Sequence, residues 1–286
     1  MSLLKCINRK NCCLLLWKFK ENKLSNKFLF IVALTPMEFL NPLRIRQQEV
    51  FLDSLKAVKY DNFQAILLGD KEDKVGKLTF VKSPNGSKGD RLKFALEYLK
   101  RNEIEYDYVA RFDDDDVLNP NIFEIVNELP EADCFYDNWH AYYDLYSGEH
   151  THEKKDWMAN AILMKKEHAL FVLADGRTLI EQDHAQEWHL YFRHLKKTAL
   201  PKLRPIYLRI LSPGSVTANA KEEQNYQTYL AGQCKWNVRP VFKDFEFDEL
   251  LQIHKDFYPE GKLQIPKRSA LRLVLAKLTD FLSLSK

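Results

Sequence analysis

The sequence predicts an α/β fold, a mostly parallel sheet flanked by helices with a C-terminal helical extension. Three observations carry this expectation. KFLFIVALT (27–35) holds a continuous apolar run, as strands buried on both faces do, and FQAILLGD (63–70) and LTFVKS (78–83) read as further strands. Segments of helical spacing alternate with them, at 43–56 and at RLKFALEYLKRN (91–102). At 286 residues and 45% hydrophobic, with few Gly or Pro, the chain can also bury a large core.

Each element follows from its own residues. The first run ends in Thr35, and Leu43 to Lys56 reads as the helix returning across the sheet. The second strand closes on Gly69-Asp70. After the third, PNGSKGD (84–90) is turn chemistry leading into the second helix, near Asp90. Tyr106, Tyr108, Val109 and Phe112 then supply the aromatic and β-branched residues of a further buried strand. That strand runs directly into Asp113-Asp114-Asp115-Asp116. Asn119-Pro120-Asn121, with Glu124 three residues on, has the composition of a helix start: Asn as cap and Pro in the first turn. Residues 133–168 read as a strand, an aromatic-rich loop or hairpin, and another strand. Thr178 with Glu181 forms a capping box, which predicts a helix from about Leu179 to Lys196. No internal repeat or low-complexity segment interrupts this order.

Four adjacent acids at the end of a strand repel one another unless a proton or a cation relieves them. A divalent metal with oxygen ligands is one such cation, and one that keeps waters also holds substrate phosphates. The carboxyl end of a strand in an open α/β sheet is, moreover, where ligands bind. A solvated acidic loop is the plainer alternative.

The net charge of +3 is unevenly spread. Residues 1–27 carry +6 and residues 262–286 carry +5, so residues 28–261 carry −8. A nucleic-acid enzyme is expected to carry a basic stripe on its body, and nucleic acid is therefore not an expected partner. Leu271, Val274, Leu275, Leu278, Phe281 and Leu282 fall at helical spacing beside Arg268, Arg272 and Lys277. Such a helix either lies on an anionic membrane surface or packs on the domain. The longest apolar runs, CCLLLW and FLFIVAL, are six and seven residues, too short to span a bilayer, and the N-terminus lacks the features of a signal peptide. Five cysteines without zinc-type spacing read as reduced thiols in a cytosol. The expected location is cytoplasmic, at the inner face of the membrane if the basic ends bind lipid.

RFDDDDVLNPN resembles the Asp-x-Asp element of nucleotide-sugar glycosyltransferases of the Rossmann-like GT-A fold, and is similar to a bacterial rhamnosyltransferase group. The resemblance covers roughly residues 27–220. It implies that Asp113 and Asp115 bind a metal, Mn2+ or Mg2+. It also implies that Thr35, Asp70, Lys88, Arg91, Arg111, Asp113 and Asp114 contact a UDP-, dTDP- or GDP-sugar. NGSKGDR stands where the family has a nucleotide loop, although the family's letters are not all present. QEWHLYFRHLKK resembles the family's base-bearing W-x-L-x-x-R helix. In an inverting transfer a carboxylate takes the acceptor hydroxyl proton. The register is open between Asp183, which keeps the family's Asp, and Glu187, which precedes Trp188, Leu190 and Arg193. RPIYLRILSPGSVTAN (204–219) is similar to the closing element, with Ser212 where the family often has His.

The expected organisation is a basic extension (1–26), a catalytic domain (27–220) and a C-terminal helical region (221–286). The implied function is sugar transfer to a glycan or lipid-linked acceptor in surface polysaccharide synthesis. The aromatics Tyr136, Trp139, Tyr142, Tyr143, Tyr146 and Trp157 are either an acceptor platform or packing. A metal-dependent phosphoryl-transfer enzyme or phosphatase uses clustered acids too, but no Walker-type loop or D-x-D-x-T sequence is present. A non-catalytic carbohydrate-binding protein on a transferase fold is the third alternative.

Overall fold

Phe28–Ala33 forms β1, a central strand with every residue but the last buried. The computed structural model describes residues 26–145, 148–154, 162–182, 191–202, 204–212, 242, 245 and 247–257. Alternate side chains of β1 enter opposite layers, as strand pleating requires. Phe28, Phe30 and Val32 meet Phe51, Phe63, Phe112 and Phe123 on one face, while Leu29 and Ile31 meet Ile66, Leu92 and Leu99 on the other.

The remaining strands of this eight-stranded sheet are β2 (Phe63–Gly69), β3 (Asp73–Val75), β4 (Leu78–Lys82), β5 (Tyr108–Phe112), β7 (Cys134–Tyr136), β10 (Ile162–Lys165) and β11 (Lys197–Ala199). Their order is β11-β7-β10-β5-β1-β2-β4-β3. Strands β5, β1, β2 and β4 are parallel, as are β11 and β7, while β10 and β3 run antiparallel to their neighbours. The α/β architecture expected from the sequence is thus the one observed. β3 is absent from that expectation; its three exposed residues fold back on β4 through Gly76, which adopts φ +59°, a conformation glycine accepts without strain.

Helix α1 (Pro42–Lys56) begins where Asn41 Oδ1 accepts Arg44 N–H at 2.8 Å, with Pro in its first turn. Helix α2 (Lys88–Arg101) starts at Ser87 through a capping box with Asp90. Helix α3 (Ile122–Glu128) follows Asn121, which makes no side-chain cap. Asn119 Oδ1 instead accepts Asn121 N–H at 3.1 Å. α4 is the single turn Lys166–Ala169.

A second sheet, in the order β6-β12-β8-β9, comprises β6 (Asp116–Leu118), β8 (Trp139–Asp144), β9 (Glu149–Lys154) and β12 (Tyr207–Leu211). Tyr142 and Tyr143 are buried, and His150 of β9 lies 4.9 Å, centroid to centroid, from Tyr143. Tyr146 and Trp157 fall outside the described residues. Helix α5 (Phe247–Phe257) packs on α1. Phe242, Phe247 and Leu250 share a core with Leu43, Val50, Tyr143, Leu208 and Ile210, so this part of 221–286 is built into the body. Apart from Asn26 and Lys27, both basic ends lie outside the described residues. Among the described residues, no helix is long and apolar enough to cross a membrane.

The expected helix over 179–196 requires correction at its start; residues 183–190 lie outside the described residues, and Tyr191 and Phe192 are helical. Thr178 and Glu181 do form their capping box, but it closes only one 3-10 turn, Leu179–Glu181, and Gln182 leaves it in extended backbone. The Ile180 carbonyl, which a helix would bond to its fourth successor, accepts from Arg111 Nη1 at 3.3 Å. Gln182 Nε2 meanwhile donates to Asp175 at 3.1 Å. Tertiary partners end the turn that the local motif begins.

Candidate active site

β1 and β5 are parallel and in register at Val32 with Phe112, so the residues just beyond them meet. Thr35 follows β1 and the four acids follow β5. Asp114, 1% exposed, turns into this junction. It accepts Thr35 N–H at 2.6 Å, Thr35 Oγ1–H at 3.0 Å, Arg44 Nη2 at 2.6 Å and Gln48 Nε2 at 2.7 Å. Arg44 and Gln48 stand one turn apart on α1 and reach the same carboxylate. Asp114 and Thr35 therefore spend their polar atoms joining β1, β5 and α1.

Asp113, Asp115 and Asp116 come together, with one oxygen from each within 4.8 Å of the others. Asp113 pairs with Lys88 Nζ at 2.5 Å, and Asp115 with Arg44 Nη1 at 2.5 Å. Asp116 begins β6 and lies opposite Arg209 of β12, whose Nε stands 3.8 Å from its Oδ2. Asp116 Oδ1 accepts Ile210 N–H at 3.3 Å, but the buried Oδ2 accepts no hydrogen bond among the described residues. The buried Tyr207 hydroxyl on β12 is likewise without a hydrogen-bond partner among them.

These environments separate the acids. Burial opposes the charge of Asp113, but Lys88, with Arg209 and Arg111 beyond it, holds its carboxyl below the usual value. Burial raises Asp115, and Asp113 and Asp114 add repulsion that Arg44 only partly offsets. Burial holds Asp116 well above the ordinary carboxylate range, against the pull of Arg209. Two of the three clustered carboxyls thus carry unrelieved cost, and one keeps an oxygen without a donor. This donor set suits a hard divalent cation, which takes carboxylate oxygens and repays their desolvation.

The other expected residues take separate places. Asp70, exposed past the end of β2, accepts Met37 N–H at 3.3 Å. Arg91 is buried, donating to Ser83 Oγ at 3.1 Å, to the Leu34 carbonyl at 2.6 Å and to the Leu68 carbonyl, so it clamps β1 to β2. Arg111, 3% exposed on β5, joins the acids to the turn at Ile180. Lys88 opens α2 at the rim of the cluster. Asp183 and Glu187 lie outside the described residues, as do Trp188 and Leu190. Arg44, Gln48 and Asp116 are not among the site residues the sequence nominates, while Arg209 falls in the closing element at 204–219. A polar pair four apart at the start of the helix after the first strand was the available signal for Arg44 and Gln48. Asp116 was visible as the last letter of the acidic run.

No protein-family model matches the sequence, and no curated protein matches it either. Solved structures do resemble it in the course of the chain. S. aureus TarS (residues 1–349) is 12% identical, with 83% of this chain and 73% of that one covered, at a TM-score of 0.41. The apo glycosyltransferase GlyE of Streptococcus pneumoniae TIGR4 is also 12% identical, covering 83% of this chain and 64% of that one, at 0.38. Rv0371c of Mycobacterium tuberculosis H37Rv, solved with manganese, is 13% identical over 65% of this chain and 88% of its own, at 0.31. Each is a distant likeness in the course of the chain.

Proposed function

We propose that the protein transfers a sugar from a nucleoside-diphosphate sugar to a glycan or lipid-linked hydroxyl, with residues 27–220 as the catalytic body. The observation that carries this reading is the Asp113–Asp115–Asp116 cluster at the carboxyl end of β5, ringed by Arg44, Lys88, Arg111 and Arg209. Clustered carboxylates suit a divalent cation, and the cationic rim suits the phosphates beside it. Asp113, Asp115 and Asp116 would hold Mn2+ or Mg2+, which when bound supplies charge neutralisation for a departing diphosphate. Lys88 and Arg209 supply donors to the phosphate oxygens, and Asp70 and Thr35 border the place for the nucleoside. Asp183 or Glu187 takes the proton of the attacking hydroxyl as inversion proceeds. The Ile180 carbonyl, in the turn that precedes them in the chain, accepts from Arg111, two residues before Asp113.

The basic ends, 1–26 and 262–286, suit an enzyme working at an anionic membrane on a lipid-linked acceptor of surface polysaccharide synthesis. The test is release of nucleoside diphosphate from a panel of UDP-, dTDP- and GDP-sugars with Mn2+ or Mg2+. Slow hydrolysis of one nucleotide class, accelerated by a lipid-linked or glycan acceptor, is expected. No turnover of any sugar nucleotide, with turnover of a phosphate monoester instead, would replace this reading with a phosphatase.

A further inference from the structure

Building on that reading, we propose that Lys88 and Arg44 are resident counter-cations of the acid cluster. They hold Asp113 and Asp115 in the unliganded chain, compete there with a divalent cation, and pass to the donor diphosphate when one binds.

Each cation holds its own carboxylate at 2.5 Å, Lys88 on Asp113 and Arg44 on Asp115, and these are two of the three acids whose oxygens converge. Counted as fully ionised, the four acids stand among four bases, Arg44, Lys88, Arg111 and Arg209, so the formal charge of the unliganded site is close to zero. A dication alone would leave about two uncompensated positive charges in a largely buried place, and a diphosphate alone about two negative ones. Bound together they restore the balance. The two cations therefore oppose the metal on its own and favour the pair.

Their attachments suit release. Lys88 is the first residue of α2, fixed by the Ser87–Asp90 capping box, and its side chain is partly exposed. It can leave Asp113 by rotamer change with no movement of the helix. Arg44 keeps Thr35 Oγ1, at 2.8 and 3.0 Å, and Asp114 when it lets go of Asp115, so it pivots in place.

Lys88→Gln tests this directly, with free Mn2+ followed by electron paramagnetic resonance, with and without UDP, dTDP or GDP. The wild-type chain is expected to bind Mn2+ weakly alone and more tightly with one diphosphate. Lys88→Gln is expected to bind Mn2+ alone about tenfold more tightly, as removal of one partly screened charge at contact distance predicts, and to lose much of the diphosphate enhancement. Lys88→Arg should keep wild-type behaviour. If Asp115→Asn abolishes Mn2+ binding while Lys88→Gln binds it no better than wild type, the counter-cation role is overturned and the metal site stands. If wild type, Lys88→Gln and Asp115→Asn all bind Mn2+ alike, the metal reading fails and this inference fails with it.

Discussion

Asp115→Asn is expected to lower turnover of the nucleotide sugar by about 10²–10³-fold without lowering the stability of the fold, the rate loss being the size seen when one electrostatic element of a site is removed. The two halves of that expectation have one origin. Burial and the neighbouring Asp113 and Asp114 hold the Asp115 carboxyl above its usual value, so its negative charge is a burden on the folded chain at neutral pH. A neutral amide removes the burden together with the ligand oxygen, which is the trade between activity and stability expected of a functional residue. Asp113 differs in sign. Its carboxyl is held below the usual value, and its charge contributes stability that is present at neutral pH and lost as pH falls through the folded-state value. Parallel urea melts and rate assays check this. An Asp115→Asn protein with full turnover, or one that unfolds more readily, would contradict the role assigned to this carboxylate.

Asp114→Ala is expected to do the opposite, weakening the fold by about 3 kcal/mol, near the lower end of what breaking a buried ion pair costs. Four donors converge on this one carboxylate, from Thr35 N–H, Thr35 Oγ1, Arg44 and Gln48. Removing it strands them at the junction of β1, β5 and α1, and leaves Arg44 with Asp115 as its remaining carboxylate partner. The loss should appear as a lower urea midpoint with an unchanged slope. Wild-type stability in Asp114→Ala would mean that these bonds contribute nothing net.

That contrast shows where the sequence stops being informative. The four aspartates are one letter repeated, and their setting between a buried strand and a helix was readable. Which of them turns inward depends on α1, nearly seventy residues earlier, presenting Arg44 and Gln48 to Asp114. Arg91 sits in a loop-to-helix segment that suggests phosphate binding, yet its partners are the carbonyls of Leu34 and Leu68. Local sequence records an arginine's charge but not its neighbours. β1 was legible because burial on both faces leaves a continuous apolar run, and β2, β4 and β5 because they are rich in apolar, aromatic and β-branched residues. β6 was not, since three residues that begin on the last acid of the run carry no period and pair with β12, some ninety residues on. The capping box at Thr178 is legible as a motif, but Arg111 and Asp175 decide how far its turn extends.

The most direct test of a cation-bridged nucleotide site is the melting temperature of the wild-type chain with UDP, dTDP, GDP or CMP, each with and without Mn2+. A ligand that binds the folded state alone raises the midpoint by mass action, about 2.7 kcal/mol at a hundred times its dissociation constant. A rise with one nucleoside diphosphate that requires Mn2+, and that Asp115→Asn abolishes, is the expected result. No rise with any of the four nucleotides, with or without Mn2+, would contradict the assignment of these acids to a donor site.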